Sequence, residues 1–435
     1  MTVRVGVAVH SVDVPVGTAM GGYAGRLASS SGVHDATTVR AIAIAQMVLV
    51  AVDVCALHED TCAEIARSHP DLTVVVSAVH THAGPSIGRG RVGRHEPHLE
   101  EAVVAAARRA IATARSNQRP VLISSAAVHG TKVARDRRRL ARVIDPPLAA
   151  LAFSDPTSGR RVATLIEFPC HPVVLDASNT LISADYVHAL RRDVEQHTGA
   201  PCVFVTGAAG DVNLGHAATA SFTNRPDEER TFDSADAIGG RLAAAVSEAE
   251  WTPLQADRST TLRSGSAQQV RWQEATVELP FDAVDPPALA RRRAGWVRSR
   301  ETADAGVAAV LTCWIDWADA WQPPAPGRTW RGRVGYLSLA GAGIVTLPGE
   351  PFLAVADAIR AAAQVPVLVA AYSDGVPGYF PTADAYPAGG YEVEDACMYY
   401  AMPAPFAPGC AELLVQAAQS LIRGAEQDED TSAPR

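Results

Sequence analysis

Two histidines, His80 and His82, follow an apolar run of the sequence and are separated by one threonine. Residues 74–79 are rich in β-branched side chains, which predicts a buried strand. Side chains two positions apart on a strand point to the same face, so both imidazoles could bind one metal ion. Neutral imidazole suits zinc, copper, iron or nickel. Taken alone, the pair favours a plainer interpretation, in which one histidine packs and the other caps the turn at Gly84-Pro85.

Four further loops carry polar side chains directly after apolar, strand-like runs. Each loop alone is typical of an ordinary strand end. Together with the histidine pair they predict one polar site at a sheet edge, because α/β sheets place functional groups where strands end. The side chains concerned are His171, Asp211, Asn213, Glu350, Tyr379 and Tyr391.

Two other motifs indicate less about the chemistry. The small-residue loop at residues 207–210 lacks the Gly-Lys-Ser/Thr of a phosphate-binding loop, which argues against a nucleotide ligand. The arginine-rich run at residues 135–142 fits a solvated face best. A few of its arginines could instead turn into a site for a polar or anionic substrate group.

The elements that must position these loops alternate between strand and helix, which favours an α/β fold with a mixed sheet core and helices packed on it. Strands are predicted at residues 40–54, 72–79, 121–128, 162–168, 201–206, 335–347 and 367–372. Helices are predicted at residues 59–68, 97–117, 184–198, 234–250, 352–364 and 409–423. Residues 261–281 resemble two consecutive strands.

The sequence predicts one catalytic-type domain over residues 1–423. A helical, tryptophan-rich insertion occupies about residues 285–325 of it. These tryptophans fit core packing, or an apolar wall or lid beside a pocket, and the sequence leaves both open. The polar residues 424–435 are expected to form a disordered tail.

Composition limits the partners of the chain. Of its 435 residues 48% are hydrophobic, and its formal net charge of −9 gives no support to a nucleic-acid partner. The seven cysteines are scattered without a Cys-x-x-Cys pair, which argues against a disulfide framework and a thiolate zinc site. Because neither a secretory signal nor a long apolar run is visible, we expect a cytoplasmic protein without stable membrane anchoring. No motif assigns an oligomeric state.

The ordered loops resemble those of the neutral/alkaline ceramidase family, zinc amidases that cleave N-acylsphingosine. The matching pieces keep the family's order over most of the chain, and the His-Thr-His and Pro-Gly-Glu segments are fairly specific in that order. The pieces are Gly22-Tyr23-Ala24, residues 78–85, His171, residues 181–185, residues 210–213, Pro348-Gly349-Glu350, residues 378–382 and Tyr391-Glu392.

The resemblance implies a role for each matching residue. The zinc ligands of the family correspond to His80, His171, Glu350 and Tyr379, which gives a metal site at strand-end loops. His82 and Tyr391 correspond to residues beside the substrate amide. A family arginine corresponds loosely to Arg137, because Asp136 stands where the family has Asn.

Two departures from the family bear on the substrate. Asn213 stands where the family has a serine with an assigned catalytic role. An amide cannot act as a nucleophile, although Asn213 could donate a hydrogen bond to an oxyanion. The chain also ends soon after the matching segments, so no counterpart of the family's C-terminal β-sandwich domain is expected. We therefore expect a shorter and more polar amide than ceramide.

The function expected from the resemblance is zinc-dependent hydrolysis of a C–N amide bond in an N-acyl small molecule. Asp211 or His82 would accept the proton of the attacking water and pass it to the amine. Tyr391, His82 and Arg137 would stabilise the oxyanion. Two alternatives remain at this point: a lactonase or esterase on the same zinc site, and a non-catalytic metal- or ligand-binding protein.

Overall fold

The computed structural model describes residues 3–254, 270–339 and 341–431. Its strands are β1 (Val3–Val12), β2 (Gly32–Val33), β3 (Thr37–Ile44), β4 (Met47–Val52), β5 (Thr73–Ala78), β6 (Arg119–Val128), β7 (Arg135–Asp136), β8 (Leu148–Ser154), β9 (Arg161–Phe168), β10 (Leu181–Ile182), β11 (Cys202–Thr206), β12 (Val212–Asn213), β13 (Thr252–Leu254), β14 (Val270–Pro280), β15 (Thr329–Leu339), β16 (Ala342–Thr346), β17 (Glu350–Pro351), β18 (Val367–Ala370) and β19 (Tyr379–Phe380). Its helices are α1 (Glu59–Arg67), α2 (Pro97–Ser116), α3 (Tyr186–Thr198), α4 (Phe232–Ser247), α5 (Pro286–Arg300), α6 (Ala305–Ala320), α7 (Leu353–Ala362), α8 (Ala396–Tyr399) and α9 (Cys410–Thr431).

The largest sheet has the strand order β11-β9-β8-β6-β1-β3-β4-β5, with β13 attached to β6. Its middle strands pair antiparallel, whereas the outermost pairs, β4/β5 and β9/β11, are parallel. The sheet folds back on itself, so that β11 lies near β3, β4 and β5. This curvature brings the ends of β5, β9 and β11 together, although two of these strands are at opposite ends of the pairing order. The predicted mixed α/β class is confirmed.

A second sheet, of order β14-β15-β16-β18, lies beside the first. Helix α9 packs on β14 and β15 and contacts α7. The chain leaving β18 passes between the two edges of the large sheet: Ala371 N donates to Thr206 O at the end of β11, and Ala78 N at the end of β5 donates to Tyr372 O, both at 3.0 Å. The loops after β5, β11 and β18 therefore meet at one point.

Two predicted strands are hairpins in the structure. Residues 40–54 form β3 and β4, joined at Ala45, whose φ of 52° is left-handed. Residues 335–347 divide into β15 and β16, with a φ of 93° at Gly341. Hydrophobicity did not mark the turns, because β3 and β4 are buried along their whole length. Of the two strands predicted at residues 261–281, the described part is β14, and residues 255–269 lie outside the described residues.

The carboxyl-terminal third differs from the prediction in two further places. The tryptophan-rich stretch is two helices, α5 and α6, and the side chain of Asp304 caps the second by accepting from Val307 N at 2.9 Å. The last helix continues to Thr431, so residues 424 to 431 are helical and the expected disordered tail is wrong for them. Residues 432–435 lie outside the described residues.

Two global expectations can be compared with the described residues. All seven cysteines are free thiols there, which agrees with the absence of a disulfide framework. Among the helices described, none combines the length and the apolar character that crossing a bilayer requires.

Candidate metal centre

Three ligand atoms from distant parts of the chain converge in the interior. Glu350 Oε2 lies 2.9 Å from His171 Nε2 and 3.2 Å from His80 Nε2, and all three side chains are fully buried. These atoms form one of two groups in the described residues with a spacing that could hold a metal ion. Two imidazoles and a carboxylate are a donor set that zinc accepts.

Backbone carbonyls orient both imidazoles toward this point. His80 Nδ1 lies 2.6 Å from Cys55 O, and His171 Nδ1 lies 3.0 Å from Val212 O. When each Nδ1 donates its proton to the carbonyl, each Nε2 keeps a free lone pair directed at the centre. Metal-ligating histidines are commonly held in this way.

Glu350 is held by a short parallel ladder and by a tyrosine. Strand β17 pairs with β19 so that Glu350 is the register partner of Tyr379. The preceding Gly349 has a φ of +59°, and a Cβ there would lie 2.5 Å from the Phe380 ring, so no other residue fits. Tyr400 Oη donates a short hydrogen bond to Glu350 Oε1 and leaves Oε2 for the two histidines.

The histidine pair does not lie on a strand, contrary to the prediction. Strand β5 ends at Ala78, and His80 has a left-handed φ of 68°. That conformation costs a non-glycine residue roughly 1–2 kcal/mol and is typical of functional sites. The loop still brings the two rings together, with His80 Nε2 and His82 Nε2 3.3 Å apart. Strand alternation is therefore not the reason for their proximity.

His82 occupies a different environment from His80. Its ligand atom groups with those of Cys55 and His80 rather than with His171 and Glu350. Its ring meets the edge of Tyr23 at 4.7 Å between centroids, and a Cβ on Gly22 would lie 2.5 Å from its Cγ. Among the described residues its buried Nδ1 has no hydrogen-bond partner. Buried polar atoms without a partner are uncommon in folded proteins.

Arg137, Tyr379 and Tyr391 surround the three ligands. Tyr379 stacks beside His171 with ring centroids 6.5 Å apart, and its ring meets that of Tyr391 at 5.9 Å. The Arg137 guanidinium lies 5.2 Å from the centroid of the Tyr379 ring, and its Nη1 is 3.5 Å from His171 Nε2. Arg137 is thus turned into the site, not toward solvent.

Asp211 and Asn213 make local contacts instead. Asp211 Oδ1 accepts from Leu353 N at 2.8 Å, at the first turn of α7. Asn213 Oδ1 accepts from Gly215 N at 2.8 Å, and Asn213 Nδ2 donates to His216 O at 2.7 Å. The geometry therefore favours structural roles for both over proton acceptor and oxyanion donor.

The charges of the centre are strongly coupled. Burial opposes ionisation of Glu350, but His80 and His171 hold its pKa well below the usual range. Burial and Arg137 lower the pKa of His171 to about 4. Burial also disfavours the charged form of His80, but Cys55 and Glu350 raise its pKa to about 10. Because an imidazole binds a cation only in its neutral form, the affinity of the centre for a metal ion should fall with falling pH.

A row of aromatic rings links the centre to the tryptophan-rich helices. Tyr391 contacts Phe222 at 5.5 Å, Phe222 contacts Trp314 at 5.6 Å, and Trp314 contacts Trp296 at 5.6 Å between centroids. Trp317 in α6 and Trp321, which directly follows α6, donate their indole protons to the carbonyls of Met402 and Pro403, respectively. The stretch therefore packs against Tyr391 through Phe222, and two indole hydrogen bonds anchor it.

Sequence reasoning missed Tyr400, and the sequence gives no signal for it because no motif surrounds Met398-Tyr399-Tyr400. Tyr400→Phe is expected to weaken metal affinity about 10- to 100-fold, since partners of metal ligands typically contribute that much. Competition titration with a zinc chelator measures the change. Tyr386→Phe is the matched control, because the Tyr386 hydroxyl donates to Phe406 O at 2.9 Å outside the centre. Equal affinity in both variants would contradict the role of Tyr400.

Asp211→Asn distinguishes two roles of Asp211: the structural acceptor for Leu353 N at the start of α7, and the proton acceptor of the reaction. The amide oxygen can still accept from Leu353 N, so turnover should stay within about threefold of wild type. Loss of turnover in a folded variant would restore Asp211 as the base.

The same variant has a pH signature. Burial raises the pKa of Asp211 from 3.8 to about 6, so the folded state holds this proton more tightly than the unfolded state. The resulting stability is present at low pH and is lost as pH rises through about 6. Asp211→Asn removes this loss. The free energy of unfolding of the variant should therefore rise relative to that of wild type between pH 4 and pH 7, as measured by unfolding curves. A difference in the free energy of unfolding that does not change with pH would contradict the raised pKa of Asp211.

No protein-family model matches the chain, and no curated protein matches it either. Solved structures nevertheless share its fold. The neutral ceramidase from Pseudomonas aeruginosa aligns with a TM-score of 0.70 at 17% identity, over 97% of this chain and 75% of that chain. A ceramidase complexed with C2 gives a TM-score of 0.72 at 16% identity, over 98% of this chain and 76% of its own. The chain therefore has the ceramidase fold, which agrees with the resemblance seen in its loops.

Proposed function

We propose that this chain, which has the fold of the neutral ceramidases, is a zinc-dependent hydrolase that cleaves the amide bond of an N-acyl small molecule. The observation that carries the proposal is the convergence of His80 Nε2, His171 Nε2 and Glu350 Oε2 in a fully buried centre. The ceramidase identity of the two solved structures supports an amide as the bond cleaved.

The spacing of the three ligand atoms fits a tetrahedral ion. Ligand atoms about 2.1 Å from zinc in that geometry lie about 3.4 Å apart. The separations of Glu350 Oε2 from the two imidazole nitrogens, 2.9 and 3.2 Å, need to open by only a few tenths of an ångström, and all three ligand atoms lie within 4.8 Å of one another. Tyr379 is proposed as the fourth ligand, because its backbone pairs with that of Glu350 and its ring stacks beside His171.

Zinc bound there would supply hydroxide at neutral pH by lowering the pKa of a coordinated water to about 7. The surrounding residues would transfer the proton and stabilise the oxyanion. His82 is the proposed proton carrier, because its ring lies beside His80 and its Nδ1 has no partner among the described residues. It would accept the proton of the attacking water and deliver it to the leaving amine.

Arg137 and Tyr391 are proposed to bind the carbonyl oxygen as negative charge develops on it. Arg137 keeps one buried nitrogen, Nη2, without a partner in the described part of the chain, while its Nε is held by Glu392. A fixed guanidinium can stabilise an oxyanion without having to reorganise. Tyr391 begins a π-helical turn, Tyr391–Asp395, an irregularity often found at functional sites.

The test is a set of matched amides, esters and lactones with the same acyl groups, assayed with zinc-loaded, chelator-treated and zinc-restored protein. We expect amide hydrolysis that chelation abolishes and zinc restores. Turnover of esters or lactones but not amides would replace the proposal by a lactonase or esterase. A zinc-replete protein that hydrolyses none of them would replace it by a binding protein.

A further inference from the structure

Residues 22–26 form a loop that packs against His82, the proposed proton carrier. Gly21 N, just before the loop, donates to Gly84 O at 3.0 Å. Gly84 lies two residues after His82, so the loop is fixed to the same stretch of chain as the histidine. The loop begins at Gly22, whose φ of +99° is one that glycine adopts readily and other residues rarely. Its position can therefore determine where His82 lies.

Both backbone polar groups of His82 are paired, each with a different part of the chain. His82 N donates to Pro172 O at 3.3 Å, next to the proposed ligand His171. His82 O accepts from Arg26 Nη2 at 2.9 Å. The position of the His82 backbone therefore depends on Arg26 as well as on the loop that carries His171.

The ring of His82 is confined by two residues of the loop at residues 22–26. A Cβ on Gly22 would lie 2.5 Å from His82 Cγ, so the backbone of the loop already touches the ring. The Tyr23 ring meets the His82 ring edge-on, with centroids 4.7 Å apart. Tyr23 is itself fixed, because it is 3% exposed and its hydroxyl donates to Leu175 O at 2.7 Å. These contacts leave the imidazole little room to move while the loop stays in place.

The Arg26 guanidinium joins the loop to His82. Its Nη1 donates to Gly21 O and its Nη2 to His82 O, both at 2.9 Å. Its Nη2 also lies 3.5 Å from Asp176 O, and its Cζ lies 5.0 Å from the centroid of the Tyr23 ring. A guanidinium presents its donors in one rigid plane, so it can hold two carbonyls and an aromatic ring at fixed positions.

The charge of Arg26 makes this arrangement costly. In the described part of the chain its hydrogen-bond acceptors are all backbone carbonyls, and its buried Nε has no partner. Burial lowers the pKa of Arg26, as expected for a cation removed from water. A buried charge without an ionic partner destabilises a fold. Fold stability alone therefore does not explain this arginine, whereas its contact with His82 does.

We propose that Arg26 is a positioning residue, whose guanidinium holds the backbone of His82 and the ring of Tyr23 so that the His82 imidazole stays beside the metal centre. The inference rests on the proposed function, in which His82 carries the proton. His82 Nε2 is 3.3 Å from His80 Nε2, and its ligand atom also groups with those of Cys55 and His80. A small displacement of the ring could therefore make His82 a metal ligand instead of a proton carrier.

The test compares Arg26→Ala with Arg26→Lys in the zinc-loaded protein. Misplacing a catalytic group by about 1 Å can cost about 100-fold in rate, so Arg26→Ala should lower kcat on an amide substrate about 10- to 100-fold. KM and zinc content should stay at their wild-type levels, because Arg26 is proposed to bind neither substrate nor metal. Arg26→Lys, which keeps a charged donor, should retain more of kcat than Arg26→Ala.

Guanidinium chloride at low millimolar concentration gives a second readout. The free ion can occupy the space that Arg26→Ala vacates and donate to the same carbonyls, so it should raise kcat of that variant and leave wild type unchanged. Arg40→Ala is the matched control, because Arg40 Nη1 donates to Cys202 O at 2.7 Å at the start of β11, whereas the centre lies beyond its end. This variant should be less stable, but its kcat should match wild type and should not respond to guanidinium.

Wild-type kcat in Arg26→Ala, or a loss that neither guanidinium nor Arg26→Lys relieves, would overturn the inference. If Arg26→Ala does not fold, Arg26→Gln replaces it, since glutamine keeps a donor but not the charged fork, and wild-type kcat there would overturn the inference in the same way. If zinc-loaded wild type hydrolyses no amide, the proposed function fails by itself. Crystal structures of zinc-loaded wild type and Arg26→Ala then decide the role of Arg26: a displaced His82 ring supports it, and an unmoved ring overturns it.

Discussion

Glu350→Gln is expected to remove the metal and to lower kcat/KM about 1000-fold or more, which corresponds to about 4 kcal/mol of transition-state stabilisation. Glu350 supplies the only carboxylate oxygen of the buried ligand group that it forms with two histidines. A neutral amide brings no charge to balance the cation and is a poorer ligand. Metal content and steady-state kinetics measure the two losses.

Glu167→Gln is the matched control. Glu167 is as fully buried as Glu350, but its Oε2 pairs with Arg360 at 2.7 Å outside the centre. Breaking that pair should lower the free energy of unfolding by roughly 3 kcal/mol, while the folded protein keeps its metal and its turnover. If Glu350→Gln loses no more activity than Glu167→Gln, the account of the centre is wrong.

Arg137→Met is expected to lower kcat about 100-fold, because it removes a fixed positive charge from the proposed oxyanion site. It should also reduce the free energy of unfolding by roughly 3 kcal/mol, since Glu392 loses a buried partner. Arg137 Nε and Glu392 Oε1 are 2.7 Å apart. Denaturant unfolding and kcat per folded enzyme separate the two effects.

Arg138→Met provides the comparison within the same ion-pair network. Arg138 Nη1 lies 2.7 Å from the other oxygen of Glu392, and its guanidinium faces the Phe352 ring instead of the centre. This variant should lose stability without losing kcat. Equal falls in kcat for both variants would reduce Arg137 to a structural residue.

The sequence allowed the candidate ligands to be identified because each follows an apolar strand or a short turn. Residue type and order marked a set of polar side chains, and the resemblance to the neutral/alkaline ceramidase family selected His80, His171 and Glu350 from that set as ligands. Their convergence depends on a feature that no local pattern contains, the folding back of the large sheet that brings β11 beside β5. The sequence therefore allowed the residues of the site to be predicted, but not their arrangement in space.

The errors have identifiable physical causes. The left-handed turn at His80 was invisible, because such conformations are unusual for histidine and the residues before it predict a strand. Tyr400 was missed because its contact with Glu350 spans 50 residues and no motif surrounds it. The catalytic roles of Asp211 and Asn213 stay predictions, and in the structure both side chains accept hydrogen bonds from backbone groups, of α7 and of their own turn, respectively.

Anomalous diffraction at the zinc edge, from crystals of the zinc-loaded protein, tests the central claim most directly. The account predicts one peak, about 2.0–2.1 Å from His80 Nε2 and His171 Nε2 and about 2.0–2.2 Å from a Glu350 oxygen, with His82 outside bonding distance. A peak bound by His82 or Cys55 in place of Glu350, or no peak between these three side chains, would contradict it.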